Sequence, residues 1–387
     1  MRLSSIRHGL LYLFTFSLVF EGWDILDIGG ISIPKIIALF LVFFSLLDFK
    51  QNLSVAPLKR FLVPLFAFSG LLLFSYLINY RIEDNTFFLV SRLLQNILFF
   101  WIVTNIMNNN PITVYKVLLS LNIAILLSAL LFLFRIGTDF DHDGRLTLFG
   151  ENSNKIGLFA VFSILFIISG ISENKQNYRK WRYLLLIFII PLINMAAQTA
   201  SRVTFFGLLL TVFLYFILKS KKNLSGKLLF FLFGGGVIFA LYSYLMTFDV
   251  LSERLFRTYY EGSMSGRDII WAHVLPSILE KPVFGIGING YSSIISQLYG
   301  GFYSPHNVFI EIFAYSGLLG LIVFFCFLFQ IAREGFNILR YDDYVLPTLF
   351  FFLILFVFLS GQGLETKVFW MIFAYLATCR IRITEQV

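Results

Sequence analysis

Charge is the scarcest thing in this sequence. Of 387 residues only 13% are Asp, Glu, Lys or Arg, and 58% are hydrophobic. A soluble domain carries about 25% charged residues and roughly 45–50% apolar ones. A chain this long with so few charges cannot cover a water-facing surface, which excludes a soluble globular protein. Cysteine is nearly missing too. Its two examples, Cys326 and Cys379, lie within or at the end of apolar runs, so no disulfide framework is expected. A nucleotide-binding glycine loop is absent: Gly234-Gly235-Gly236 sits inside an apolar run, where small residues let helices approach closely. EF-hand and zinc spacings are absent as well. His142 among Asp139, Asp141 and Asp143 is the nearest approach to a cation site, or else a solvated turn, and no metal is expected. Arg2 and Arg7 precede an apolar stretch as in a signal peptide, but no small-x-small cleavage site follows, so an uncleaved first membrane helix is expected. Internal repeats are missing, as is low complexity beyond the richness in Leu and in Phe, of which there are 49.

What is present is a succession of apolar runs. A helix needs about 20 apolar residues to cross a bilayer, and a chain in lipid must satisfy its own backbone hydrogen bonds. Twelve runs qualify, near 8–22, 33–49, 58–78, 86–107, 112–136, 154–172, 179–198, 200–218, 227–247, 306–331, 344–361 and 364–380. The seventh and eighth run together, so a tight hairpin is required near Gln198-Thr199. The expected fold is an all-α polytopic membrane protein forming a single membrane domain over 1–387.

The formal charge of +8 invites a nucleic-acid partner. However, the basic residues gather in alternate short loops, around 50–60, 175–182, 219–227, 333–340 and 380–382, as the positive-inside rule requires. No nucleic-acid partner is therefore expected, and both termini are expected in the cytoplasm. Two loops on the other side are long. The first, 137–153, is polar and acidic. The second, 248–305, joins the ninth and tenth runs. Within it, residues 267–281 show a helical apolar period (Ile269, Ile270, Val274, Leu275, Ile278) before Lys281-Pro282 and a glycine-rich turn. This predicts an amphipathic helix along the membrane surface.

Ionisable residues at membrane depth are functional candidates because lipid penalises charge. Four clusters stand on the expected outer face. Arg202, in Thr199-Ala200-Ser201-Arg202, either grips a phosphate through its planar fork or snorkels to headgroups. Arg267, in Ser265-Gly266-Arg267-Asp268, opens the amphipathic helix, where an anion is favoured. Its alternative is a Ser265 cap with Arg267 paired to a carboxylate. His306, in Ser304-Pro305-His306-Asn307, is expected in the first turn of a membrane helix, facing an aqueous cleft, as a general base or a satisfied structural residue. Glu311 lies four residues past Asn307 and is expected to orient its amide. Arg145 precedes Gly150 and Asn154, a binding segment or an ordinary loop and cap. His8 and His273 carry no expected role.

Three of these clusters occur in a familiar order. Thr199-Ala200-Ser201-Arg202 is followed by Gly266-Arg267-Asp268-Ile269-Ile270-Trp271. Lys281-Pro282-Val283-Phe284-Gly285-Ile286-Gly287, Ser304-Pro305-His306-Asn307 with Glu311, and Ser316-Gly317-Leu318-Leu319-Gly320 come after. The series over about 140–325 resembles the bacterial O-antigen polymerase and O-antigen ligase superfamily, and Gly144-Arg145, Gly150 and Asn154 are similar to a family segment upstream.

The resemblance implies a membrane-embedded glycosyltransferase of the C-type class in the bacterial inner membrane, working at its outer face without cofactor or metal. Its donor would be a glycan on undecaprenyl diphosphate, its acceptor a sugar hydroxyl, with a chain-length regulator as a possible partner protein. By the same resemblance Arg202 and Arg267 neutralise the diphosphate and His306 activates or orients the acceptor. Arg145, Asn154, Ser201, Asp268, Asn307 and Glu311 would line the substrate site. Glu151-Asn152-Ser153-Asn154 replaces the proline-containing version common among ligases, which favours a polymerase of O-antigen, capsular or exopolysaccharide repeat units. The ligase, which moves a finished glycan to lipid A core, is the alternative. A transporter of lipid-linked oligosaccharide or solute is the alternative from another class. Its usual two-fold repeat and midplane charges are missing here.

Overall fold

A computed structural model describes residues 3–23, 32–79, 87–172, 183–219, 224–261, 266–361 and 363–379. The expected cap Ser265 and the basic loop residues Arg2, Lys175, Arg179, Lys180, Arg182, Lys221, Lys222, Arg380 and Arg382 lie outside the described residues. The helices are α1 (Leu3–Ser17), α2 (Ile33–Leu46), a short α3 (Phe49–Asn52), α4 (Lys59–Ile78), α5 (Phe87–Asn109), α6 (Pro111–Leu133) and α7 (Ser153–Ser172). They continue as α8 (Ile189–Gln198), α9 (Arg202–Lys219), α10 (Leu224–Leu245), α11 (Asp249–Glu261), α12 (Arg267–Glu280), α13 (Gly287–Tyr299), α14 (Val308–Asp342), α15 (Leu346–Ser360) and α16 (Lys367–Thr378).

Among the described residues seven helices are long and apolar enough to cross a membrane, and an eighth span counts if the bent pair at α10 and α11 is taken as one. Four shorter apolar helices, Ile33–Leu46, Leu185–Gln198, Leu346–Ser360 and Lys367–Thr378, take the remaining places. Together they occupy the twelve apolar runs, and the chain is a multi-pass membrane protein. The outward faces carry Leu39, Phe74, Leu77, Ile190, Phe233 and Phe329 exposed, as lipid rather than water requires. Inside, α14 packs along α4, α16 along α5, and α7 between α8 and α9. Glycine permits the closest approaches: a Cβ on Gly234 of α10 would lie 2.7 Å from the Phe216 ring of α9.

Charges sort to the two ends of this bundle. At one end Arg7 pairs with Asp48 at 3.1 Å, Arg60 with Glu334 at 2.7 Å and Lys219 with Asp343 at 3.8 Å. At the other, Glu21 takes both Lys155 and Lys367, and Arg92 pairs with Glu365 at 3.1 Å. Loops 137–153 and 248–305 emerge at this second end.

Three finer expectations need correction, while the expected all-α polytopic class holds with one short addition in loop 137–153: Thr138–Phe140 (β1) and Leu146–Leu148 (β2) form an antiparallel hairpin. Its turn is held by Asp141, whose Oδ1 accepts from the N–H groups of Asp143 and Arg145 at 3.0 Å each. The long loop carries three helices, α11, α12 and α13, rather than one, and Ile269 of α12 faces outward while Ile270, Val274 and Ile278 are buried. The helix after it begins at Val308, so His306 is not in its first turn but two residues ahead, at φ 52°. Finally, α14 runs on to Asp342 and is interrupted at Gly317, with φ 66° and ψ −165°.

That interruption docks the end of the long loop. Segment 281–286 lies in the break, where Ile286 N–H donates to Ala314 O at 2.9 Å and Leu318 N–H donates to Pro282 O at 2.8 Å. A Cβ on Gly317 would sit 2.2 Å from Val283 O, and one on Gly285 2.4 Å from Ala314 O. Both glycines have positive φ, a conformation they adopt without steric cost. The backbone of the loop thus fills the gap in the ladder of α14, satisfying amides that lipid could not.

Candidate functional site

The site is built where four structural pieces meet at the loop-bearing end of the bundle. The first is the tight turn between α8 and α9. Ala200 takes a left-handed φ of 45°, and the Ser201 Oγ accepts from Thr204 N–H at 3.2 Å. Ser201 is buried and serves the start of α9 as a cap, an ordinary role for serine. That geometry sets Arg202 as the first helical residue. The turn packs closely on α7, where a Cβ on Gly157 would meet Thr204 Oγ1 at 2.3 Å and Thr199 Oγ1 at 2.7 Å.

The hairpin is the second piece. The Arg145 Nε lies 2.7 Å from Asp141 Oδ2, its Nη2 lies 3.6 Å from Asp143 Oδ2, and its Nη1 donates to Asn154 Oδ1 at 3.5 Å. Arg145 and Asn154, nine residues apart, therefore do share one corner. Asn152 caps α7 there, its Oδ1 accepting from Asn154 N–H at 2.9 Å. Burial tends to raise the Asp141 carboxyl, but the Arg145 and Asp143 amides and the Arg145 charge outweigh it and hold it below the usual range.

The third piece is α12. Gly266, at φ 77°, is the residue before it and has no side chain to offer as a cap. Arg267 is the first residue, and its Nε is buried without a hydrogen-bond partner. Among the described residues it pairs with no carboxylate, unlike the paired arrangement that was its alternative. Burial and the Arg254 charge both push its guanidinium down from its ordinary value. Asp268 is exposed at the first turn of α12, a stabilising place for an acid, and among the described residues it pairs with none of the arginines.

The segment before α14 is the fourth. Trp271 Nε1 of α12 donates to Pro305 O at 2.8 Å, which holds His306 beside Arg267. Burial first, and the Arg267 charge second, lower the His306 imidazole to about 4, so it is neutral over the physiological range. Asn307 caps α14: its Oδ1 accepts from Phe309 and Ile310 N–H at 2.9 and 3.1 Å, and its Nδ2 donates to Leu359 O. Glu311 does not orient that amide. It is buried inside α14.

The structure adds residues that motif reading missed. Thr258 of α11 accepts a hydrogen bond from Arg202 Nη1, and Arg254, one turn earlier, lies 3.7 Å from Asp143 Oδ2. The available signal was the helical stripe Leu251, Arg254, Leu255, Thr258, which places both polar residues on the face that carries buried Leu251. A cavity of about 640 Å³ opens beside Arg202, walled by His142, Asp143, Glu253, Arg254 and Arg257. Four guanidiniums, Arg145, Arg202, Arg254 and Arg267, thus gather with one neutral imidazole. The four positive charges suit the cluster to anions; among the described residues no group of three or more His, Cys, Asp or Glu is placed to hold a metal ion.

Residues 185–325 match the model of the O-antigen ligase family. A curated protein of Rickettsia conorii (strain ATCC VR-613 / Malish 7), named as a polysaccharide ligase, is 24% identical over 195 residues. That alignment covers 47% of this chain and 45% of the relative, so the likeness spans less than half of either. The matched span contains Arg202, Arg254, Arg267 and His306, while Arg145 and Asn154 lie upstream of the family match.

Proposed function

We propose that this chain, whose residues 185–325 match the model of the O-antigen ligase family, is a membrane glycosyltransferase that moves a glycan from a lipid diphosphate to an acceptor hydroxyl. The observation that carries this reading is the convergence of Arg145, Arg202 and Arg267, from three separate elements, with a neutral His306 beside Arg267. In the reaction the bond between the anomeric carbon and the diphosphate oxygen breaks, and the acceptor oxygen bonds to that carbon from the opposite side. Negative charge grows on the departing diphosphate. Fixed guanidiniums aimed at that oxygen stabilise the transition state more than the ground state. The neutral imidazole accepts a hydrogen bond from the acceptor hydroxyl and takes its proton as the oxygen bonds. A bound diphosphate offsets the Arg267 charge and so strengthens His306 as an acceptor.

The donor in this reading is undecaprenyl diphosphate carrying the glycan, the site faces the outside of the cytoplasmic membrane, and both termini lie inside. The arginines supply the positive charge that the diphosphate needs. Of the two acceptors, the Glu151–Asn154 segment favours a growing repeat-unit chain, and the names of the family and of the relative favour a transfer of finished glycan. A deletion strain separates them. A single repeat unit left on its acceptor identifies a polymerase, whereas bare acceptor with full-length chains stranded on the carrier lipid identifies a ligase. Arg267→Ala is expected to abolish product while the protein still accumulates in the membrane. A normal glycan profile in that variant would remove Arg267 from the mechanism.

A further inference from the structure

The cavity beside Arg202 is walled by Arg254 and Asp143, neither of which the reaction above uses. Its position follows from α11, which leaves the axis of α10 at a bend of 102° and so crosses the end of the bundle. On one stripe of that helix Thr258 receives Arg202 Nη1 and Arg254 reaches the cavity wall. The backbone supports the pair, since Thr258 Oγ1 donates to Arg254 O at 2.8 Å. Arg254 is only 20% exposed, and its Nη1 is buried without a hydrogen-bond partner.

The two nearby carboxylates are held very differently. Asp141 is fixed by two backbone amides, by Arg145 at 2.7 Å and by Ser153 Oγ at 3.4 Å. Asp143 is 58% exposed, and among the described residues its carboxylate has only Arg145 at 3.6 Å and Arg254 at 3.7 Å. Both separations exceed a hydrogen bond. One carboxylate therefore stands loosely between two guanidiniums, at the mouth of a cavity large enough for a diphosphate.

We propose that Arg254 is a further diphosphate-binding residue and that Asp143 is its resident counter-anion, displaced from between Arg145 and Arg254 when a diphosphate enters. This deepens the lipid-diphosphate reading and rests on it. A diphosphate carries more charge and more acceptor oxygens than a carboxylate, so it competes successfully for the two forks. In the empty cleft Asp143 reduces the repulsion among the arginines. After transfer it competes with the spent carrier and hastens its release.

Binding of inorganic pyrophosphate to the purified full-length protein in detergent tests this. The variants are Asp143→Asn, Arg254→Gln, their double and the conservative Arg254→Lys. Asp143 sits in an exposed turn that asparagine suits, so folding is preserved. Removing the competing charge is expected to tighten binding about tenfold, and Arg254→Gln to weaken it about tenfold. Arg254→Lys is expected to fall between, because it keeps the charge and loses the fork. In the double variant the tightening from Asp143→Asn should shrink markedly, because Arg254 is one of the two forks it frees. Unchanged or weaker binding in Asp143→Asn overturns the displacement, as does full tightening without Arg254. Absence of pyrophosphate binding in both wild type and Asp143→Asn overturns it too. If instead Arg202→Gln and Arg267→Gln leave pyrophosphate binding unaltered, the lipid-diphosphate reading itself fails.

Discussion

Gly317→Ala is the substitution whose cost can be worked most directly from the structure. The residue has φ 66° and ψ −165° in the middle of a membrane helix, a region essentially closed to residues with a Cβ. Forcing alanine to remain there costs about 1–3 kcal/mol. The new methyl would also lie 2.2 Å from Val283 O and 2.6 Å from Gly285 N, so segment 281–286 must leave the break. Two good backbone bonds go with it, Leu318 to Pro282 and Ile286 to Ala314, at about 1 kcal/mol each. The sum is about 3–5 kcal/mol. Thermal unfolding of the purified protein in detergent, followed by loss of the monodisperse peak, should show a midpoint lowered by at least about 5 °C. Activity should fall further than stability, since the displaced segment anchors α12 and with it Arg267. Gly301→Ala is the control, because its added methyl meets nothing within 4 Å. If Gly317→Ala melts with the wild type, the docked loop is not what the break is for, and the reasoning about this motif is wrong.

Two further outcomes follow from charges. His306 is held neutral to about pH 4 by burial and by Arg267, against about 6.5 in an unfolded chain. Between these values the unfolded chain binds the extra proton, so this group's contribution to stability is complete above about pH 6.5 and is lost as pH falls through about 4. An NMR titration of the histidine rings should find His306 unprotonated at pH 6, with Arg267→Gln moving its midpoint upward. A wild-type midpoint at the ordinary value would refute the burial and the arginine contact together. Glu21→Gln should destabilise the protein by about 1–3 kcal/mol, discounted for partial exposure, because Lys155 and Lys367 both lose their shared carboxylate. Although burial tends to raise the Glu21 carboxyl, the two lysines hold it below its ordinary value. The stabilisation is therefore present above about pH 4.5 and fades in acid. Equal melting of Glu21→Gln and wild type at neutral pH would show that the lysines find other partners.

Twelve apolar runs, with hydrophobic faces and basic loops alternating between them, are properties of composition and order along the chain. Lipid leaves a long uncharged run no choice but a helix, so the membrane spans and the loop-bearing end were legible residue by residue, down to the tight turn at Gln198-Thr199. The same holds for Arg145 with Asn154, which one short segment brings together. What could not be read is whatever depends on elements far apart meeting. That Ser201 and Asn307 cap helices and that Glu311 is buried could not be read from their motifs, because caps and ligands use the same polar side chains. Arg254 and Thr258 lie in no motif and entered the site only because α11 folds back across the bundle. Segment 281–286 and Gly317, 31 or more residues apart, read as two glycine patterns and became one joint. Local periodicity and the bilayer determine which residues form helices and where they end. Only the packing of those helices decides which arginines share a cavity, since charge repulsion and burial act through space and leave no period in the sequence.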